Sequence, residues 1–172
     1  CREAFRGGNT HANRMYAGYI LHDVQSADRS SSYPDCQCND RFPCTHFVQA
    51  EENSIQALEE LLHRRRACLF RIRLQNVRLL DQSFGCPYIP VDKCRNLSGY
   101  VNDNGRILCA DSLEITITDI DWSIIQSEYT FTDPKILVLY SARYGKLPRV
   151  LVNTTIEYYQ KKTELKNVQG KE

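Results

Sequence analysis

The segment Asp28-Arg29-Ser30-Ser31-Ser32-Tyr33-Pro34 concentrates side chains that can work on a phosphate. A carboxylate at a strand end can hold Mg2+, which takes one or two protein carboxylates together with substrate phosphates. Hydroxyls and backbone N–H groups in the turn behind it can bind phosphate oxygens. The same residue types also make an Asx or Ser turn before a proline, with no ligand involved. Pro34 is expected to close an extended segment and to push Tyr33 away from helical backbone. Two further basic groups stand elsewhere in the chain. Lys161, Lys162 and Lys166 lie near the C-terminus, and Arg64-Arg65-Arg66 follow a helical pattern. The arginines read as a phosphate contact or as a solvated helix end. Gly7-Gly8 before Asn9-Thr10 allows a sharp turn or a close approach to a ligand.

The elements that must position these residues follow from periodicity. Glu51–Arg66 reads as a helix, with Ile55, Leu58 and Leu62 on one face and its acids ahead of its bases. Cys68, Phe70, Ile72 and Leu74 alternate with Leu69, Arg71, Arg73 and Gln75, a strand with one face mostly polar. Asn102-Asp103-Asn104-Gly105 is a hairpin turn. Leu113, Ile115 and Ile117 mark another strand. Thr118 is expected to cap a short helix in a box with Asp121, burying Ile120, Ile124 and Ile125. Tyr129–Tyr140 reads as a strand interrupted at Pro134. Pro148 opens a last helix with Val152, Ile156 and Tyr159 along one side. The first forty-odd residues look loop-rich around one apolar stretch, Tyr16–Val24. Hairpins alternating with helices predict an α+β domain, an antiparallel or mixed sheet with helices on one face.

Composition narrows the function classes. The chain has 172 residues, enough for one domain or one and a linker, and its 42% apolar content argues against disorder. Lys and Arg number 22 against 21 Asp and Glu, so no whole-surface basic field exists for nucleic acid, though a local patch can. The longest apolar run is Ile136–Tyr140, far short of the roughly 20 residues of a membrane span. The start at Cys1 and the Lys-rich, helix-like end suggest an excised piece of a longer protein. Eight cysteines permit disulfides, and Asn96-Leu97-Ser98 and Asn153-Thr154-Thr155 are glycosylation sequons. Cys36, Cys38 and Cys44 lack the paired spacing of a structural zinc site. Cys68, on the apolar side of its strand, suits a buried free thiol. Reduced thiols in a cytoplasm are the expected state.

The heptapeptide from Asp28 to Pro34 resembles motif A of family B DNA polymerases, Asp-x-x-Ser-Leu/Ser-Tyr-Pro. Some twenty residues upstream, Phe5-Arg6-Gly7-Gly8 resembles that family's Tyr-x-Gly-Gly motif. Tyr144-Gly145-Lys146-Leu147-Pro148 through Tyr158-Tyr159-Gln160-Lys161-Lys162-Thr163-Glu164-Leu165-Lys166 is similar to the approach to the fingers in the protein-primed phage, plasmid and mobile-element branch. The likeness is weakest between Gln49 and Val138. It implies a polymerase palm over residues 1–147 and the start of the fingers helix over 148–172. It implies that Asp28 is the first of two catalytic, metal-holding aspartates and that the Arg29 carbonyl is a further ligand of the Mg2+ pair. Ser31 and Ser32 would meet the incoming triphosphate. Tyr33 would lie under the deoxyribose and exclude a 2′-hydroxyl. Phe5, Arg6, Gly7 and Gly8 would contact DNA. Lys162, with Lys161 and Lys166, would neutralise phosphates. The partners implied are a DNA primer–template, a dNTP and, for this branch, a priming protein, with no membrane.

The sequence departs from the pattern at two places. Phe5 replaces the usual Tyr, and Arg29 stands where an apolar strand residue is usual, so its side chain is expected to point outward. No Lys-x3-Asn-Ser-x-Tyr-Gly motif follows Lys166, and no Asp-Thr-Asp carries a second aspartate. The parent reaction is template-directed addition of dNMP to a 3′-hydroxyl, and this chain alone is expected to be inactive. The alternative is a secreted, disulfide-bonded, non-enzymatic binding module. A degenerate palm kept for DNA binding or structure is a third.

Overall fold

The computed structural model describes residues 2–5, 10, 12–29, 31–83 and 85–169. In chain order the elements are α1 (Ser32–Asn39), β1 (Phe42–Pro43), β2 (Val48–Gln49), α2 (Ile55–His63), β3 (Arg66–Leu79), β4 (Cys94–Ser98), β5 (Val101–Asp103), β6 (Arg106–Thr118), α3 (Asp119–Glu128), β7 (Tyr129–Gly145) and α4 (Arg149–Gln169). They fall into two compact units. The larger comprises 1–22 and 47–142, and the smaller 23–46 and 143–172. The chain thus leaves the smaller unit for about a hundred residues and returns to it along β7.

In the larger unit the strand order is β7-β3-β6-β4, with β2 added on β7 and β5 on β6. β3 and β6 run antiparallel, pairing Phe70 with Ile117, Ile72 with Ile115 and Leu74 with Leu113. Alternation puts these six apolar side chains on one face, as β-strand geometry requires, and all six are buried. α2 and α3 supply Leu58, Trp122 and Ile125 to the same core, and Trp122 meets Phe70 edge-on at 6.1 Å. The fold is α+β with an antiparallel sheet. The buried free thiol expected at Cys68 is there, and apolar surroundings push it up to about 12.

Local chemistry sets the element ends. Asn104 (φ +47°) and Gly105 (φ +75°) form the two-residue turn between β5 and β6, the left-handed pair that suits a hairpin. Thr118 and Asp121 make a reciprocal capping box on α3. Ser54 caps α2 by accepting from Ala57 N at 3.1 Å, so the helix begins at Ile55 rather than Glu51 and ends before left-handed Arg65. Tyr129 Oη is pinned inside the unit: it accepts from Tyr88 N at 2.8 Å and donates to Ile107 O at 2.8 Å.

Three expectations for the helices and strands are corrected. β7 is not interrupted at Pro134; it runs from Tyr129 to Gly145, with Asp133 in the left-handed region just before the proline. A local distortion is one way a strand accommodates the missing N–H. Ile120 is 61% exposed, and Trp122 takes the buried position beside Ile125. On α4, Val152 is half-buried but Ile156 and Tyr159 are exposed.

In the smaller unit β1 pairs antiparallel with the end of β7, Phe42 with Gly145 and Pro43 with Tyr144. Cys44 N donates to Arg143 O at 2.8 Å, and Arg143 N donates to Thr45 Oγ1 at 2.9 Å. Lys146 Nζ donates to Asn39 O at the end of α1. These bonds tie the two chain segments of the unit together, and α1 packs on α4.

Candidate functional site: a hydroxyl-lined cavity between α1 and α4

The motif-A-like segment leads into α1, and two of its expected features change. Asp28 lies outside any strand, exposed, with no hydrogen bond or ion pair to another described residue. Tyr33 and Pro34 are not extended; both lie in the first turn of α1. A proline fits there because the first N–H groups of a helix have no intrahelical partner to lose. Tyr33 is 77% exposed. Ser30 lies outside the described residues, as do Arg6, Gly7 and Gly8; Phe5 is exposed.

Arg29 turns to α1. Its guanidinium pairs with Asp35, which also accepts from Asn39 Nδ2 at 2.7 Å. The Asn39 and Arg29 contacts hold the Asp35 carboxyl below the ordinary range. Asp35 in the first turn also suits the helix dipole.

Ser31 is the N-cap of α1 in a left-handed conformation (φ +53°), and its side chain makes no capping bond. The N–H groups of Ser32 and Tyr33, which open the helix, therefore donate no bond to the Ser31 side chain and can face an anion. Ser31 and Pro34 line a cavity of about 430 Å³ with Thr154, Thr155, Tyr158, Tyr159 and Lys162 of α4. Lys162 has no ion pair among the described residues, and no carboxylate lines the cavity. Its neighbour Lys161 is committed elsewhere: Nζ pairs with Glu157 at 2.7 Å and sits 5.7 Å from the Tyr158 ring centre. A cation, several hydroxyls and an uncapped helix start can bind an oxyanion.

Two of the expected nucleotide-binding residues, Ser31 and Lys162, thus meet across some 130 residues of sequence. Ser32, Tyr33, Lys166 and Asp28 are not in the cavity lining. The sequence reading gives Thr154, Thr155 and Tyr158 no role in binding, although their spacing to Lys162 puts all four on one stretch of helix face.

No group of three or more His, Cys, Asp or Glu side chains gathers to hold a metal among the described residues. Asp28 is a single carboxylate, and a metal pair does not fit on it alone. Cys36, Cys38, Cys44, Cys68, Cys86, Cys94 and Cys109 are free thiols. The disulfide-bonded alternative therefore has no bridge among the described residues to support it. Among the described residues no helix is long and apolar enough to cross a membrane.

No protein-family model and no curated protein matches the chain. Among solved structures, phi29 DNA polymerase in an orthorhombic crystal form is similar to it, with a TM-score of 0.57 and 16% identity over 89% of this chain. The match covers 25% of that polymerase, so this chain spans about a quarter of its length. At that identity the likeness is one of fold.

Proposed function

We propose that the chain is part of a family B DNA-directed DNA polymerase, carrying the first half of its palm-side nucleotide site. Residues 1–147 belong to the palm and 148–172 start the fingers helix. The observation that carries this reading is the cavity shared by Ser31, from the motif-A-like segment, and Lys162, from the helix that approaches the fingers. The polymerase-like fold supports it.

In this reading Lys162, Ser31 and the N–H groups opening α1 hold the triphosphate of a dNTP, with Ser32 and Lys166 beside them. Tyr33 bears on the sugar and disfavours a 2′-hydroxyl by shape. Phe5, Arg6, Gly7 and Gly8 touch the DNA template. Asp28 and the Arg29 carbonyl supply one side of a Mg2+ site. A divalent metal held there would supply charge stabilisation at the phosphates. A pair of metals needs a second carboxylate, and the sequence has no Asp-Thr-Asp to provide it.

The test is nucleotide binding by the purified chain, followed by the fluorescence anisotropy of a labelled dNTP. Lys162→Ala is expected to weaken binding about tenfold, on the scale of a charge-assisted hydrogen bond to phosphate. The same preparation is expected to extend no primer. Equal dNTP affinity in the variant would overturn the reading, and brisk primer extension would overturn only the expectation that the chain alone is inactive.

A further inference from the structure

The larger unit has a second place built for an anion, on the face of its sheet opposite the core. Strand register sets Arg71 beside Thr116 and Arg73 beside Glu114, with Arg95 of β4 opposite Glu114. Glu114 is taken by Arg73, whose Nε and Nη2 both donate to its Oε1, at 2.9 and 2.6 Å. Arg71 and Arg95 instead hold Glu3. Arg71 Nη2 reaches Oε2 at 2.6 Å, Arg95 Nη2 reaches Oε1 at 2.5 Å, and Thr116 Oγ1 lies 2.9 Å from Oε2. Donors from three strands therefore converge on one carboxylate, which comes from a chain segment outside the sheet.

The surroundings are more basic than one carboxylate requires. Arg2, Arg71, Lys93 and Arg95 line a cavity of about 430 Å³, faced by Glu3 and Asp92 once Glu114 is set aside with Arg73. Arginine pairs match oxyanions because each guanidinium presents parallel N–H donors. A phosphate carries more acceptor oxygens than a carboxylate, and as a monoester more charge. Glu3 and Arg95 are both partly exposed, so the seat is reachable from solvent.

We propose that this cleft is a phosphate-binding site and that Glu3 occupies it as a competitor carried by the chain itself. The ligand is a phosphate group, free or borne by a nucleic-acid strand. Binding draws Arg71, Arg95 and Thr116 onto the phosphate and releases the segment that carries Glu3. The proposal does not rest on the nucleotide reading of the smaller unit, since it uses none of that unit's residues.

The experiment follows the backbone amides of Arg71, Arg95 and Thr116 by NMR in the full chain. Inorganic phosphate is titrated in one arm and a short single-stranded oligonucleotide in the other. Glu3→Gln is expected to tighten binding about fivefold by removing the competing charge while keeping the side chain's size. Arg71→Gln with Arg95→Gln is expected to weaken it at least about tenfold, and Arg95→Gln alone by part of that. Saturation by phosphate at lower concentration assigns the site to free phosphate; saturation by the oligonucleotide assigns it to a strand. Glu3→Gln binding no tighter than the wild type, or no shift of these amides with either ligand, overturns the proposal. Readout at these amides keeps its failure distinct from a failure at Lys162.

Discussion

The two units differ in what holds them. The larger has a continuous core in which Phe70, Ile72, Leu74, Ile115 and Ile117 are closed off by two helices. In the smaller, no residue of 23–46 or 143–166 whose exposure is described is buried. It is joined by backbone hydrogen bonds, a short strand pair and helix contact. Apolar burial is the dominant favourable term in folding, so nearly all the stability of this chain resides in the unit that carries little of the proposed nucleotide site. Binding regions are commonly drawn from the low-stability end of a structure. The cavity of Ser31 and Lys162 follows that pattern.

The sharpest way to break this contrast is to damage the core. Phe70→Ala removes a fully buried ring that packs on Trp122. It is expected to cost about 3–5 kcal/mol, read as a lower denaturant midpoint. In hydrogen exchange, amides of β3 and β6 should lose most of their protection while those of α1 and α4, fast from the start, change little. Strong protection of α1 and α4 in the wild type would show that the smaller unit holds itself together by means other than burial.

A subtler cut separates polar satisfaction from packing. Tyr129→Phe keeps the ring but deletes the hydroxyl that joins Tyr88 N to Ile107 O. Burial raises this phenol to about 12, so it stays protonated through the physiological range. The loss should be about 1–3 kcal/mol, the scale of deleting a buried hydrogen-bonding hydroxyl. A change within error in the melting temperature would mean that water or other groups replace the bond.

The same contrast explains what could be read from the sequence. In the larger unit, local pattern and tertiary burial agree: period-two alternation gives β3 and β6, Asn104-Gly105 gives the turn, and Thr118 with Asp121 gives the cap. Where burial is weak, local rules had nothing to reinforce them. Ser32–Asn39 has no apolar period, so α1 was invisible, and Tyr33 before Pro34 reads as extended until the free first turn of a helix accepts both. Pro134 suggests a break, but β7 runs through it with Asp133 in the left-handed region. The meeting of Ser31 with Lys162 depends on contacts between segments about a hundred residues apart, beyond the reach of any local pattern. A family resemblance nominates both residues, but it assigns no role to Thr154, Thr155 or Tyr158, although the similar stretch spans all three.

The smallest effect concerns the polar face of the larger sheet, where charge rather than burial is at stake. Arg73, by hydrogen bonding, holds the Glu114 carboxyl below its ordinary value despite the opposing cost of burial. A depressed folded-state value means that the unfolded chain binds the proton more readily. The pair therefore contributes fully above the unfolded carboxyl value of roughly 4.3 and loses its contribution as pH falls through the lower folded value. Glu114→Gln should cost on the order of 1 kcal/mol at neutral pH, since it weakens a charged hydrogen bond without removing its acceptor. The gap between wild type and variant should close as the pH is lowered below about 4. Melting curves across that range decide the point. A gap that stays constant into acid would assign the role of Glu114 to shape and hydrogen bonding alone, and the sheet's two faces would then be held by less different means than their composition implies.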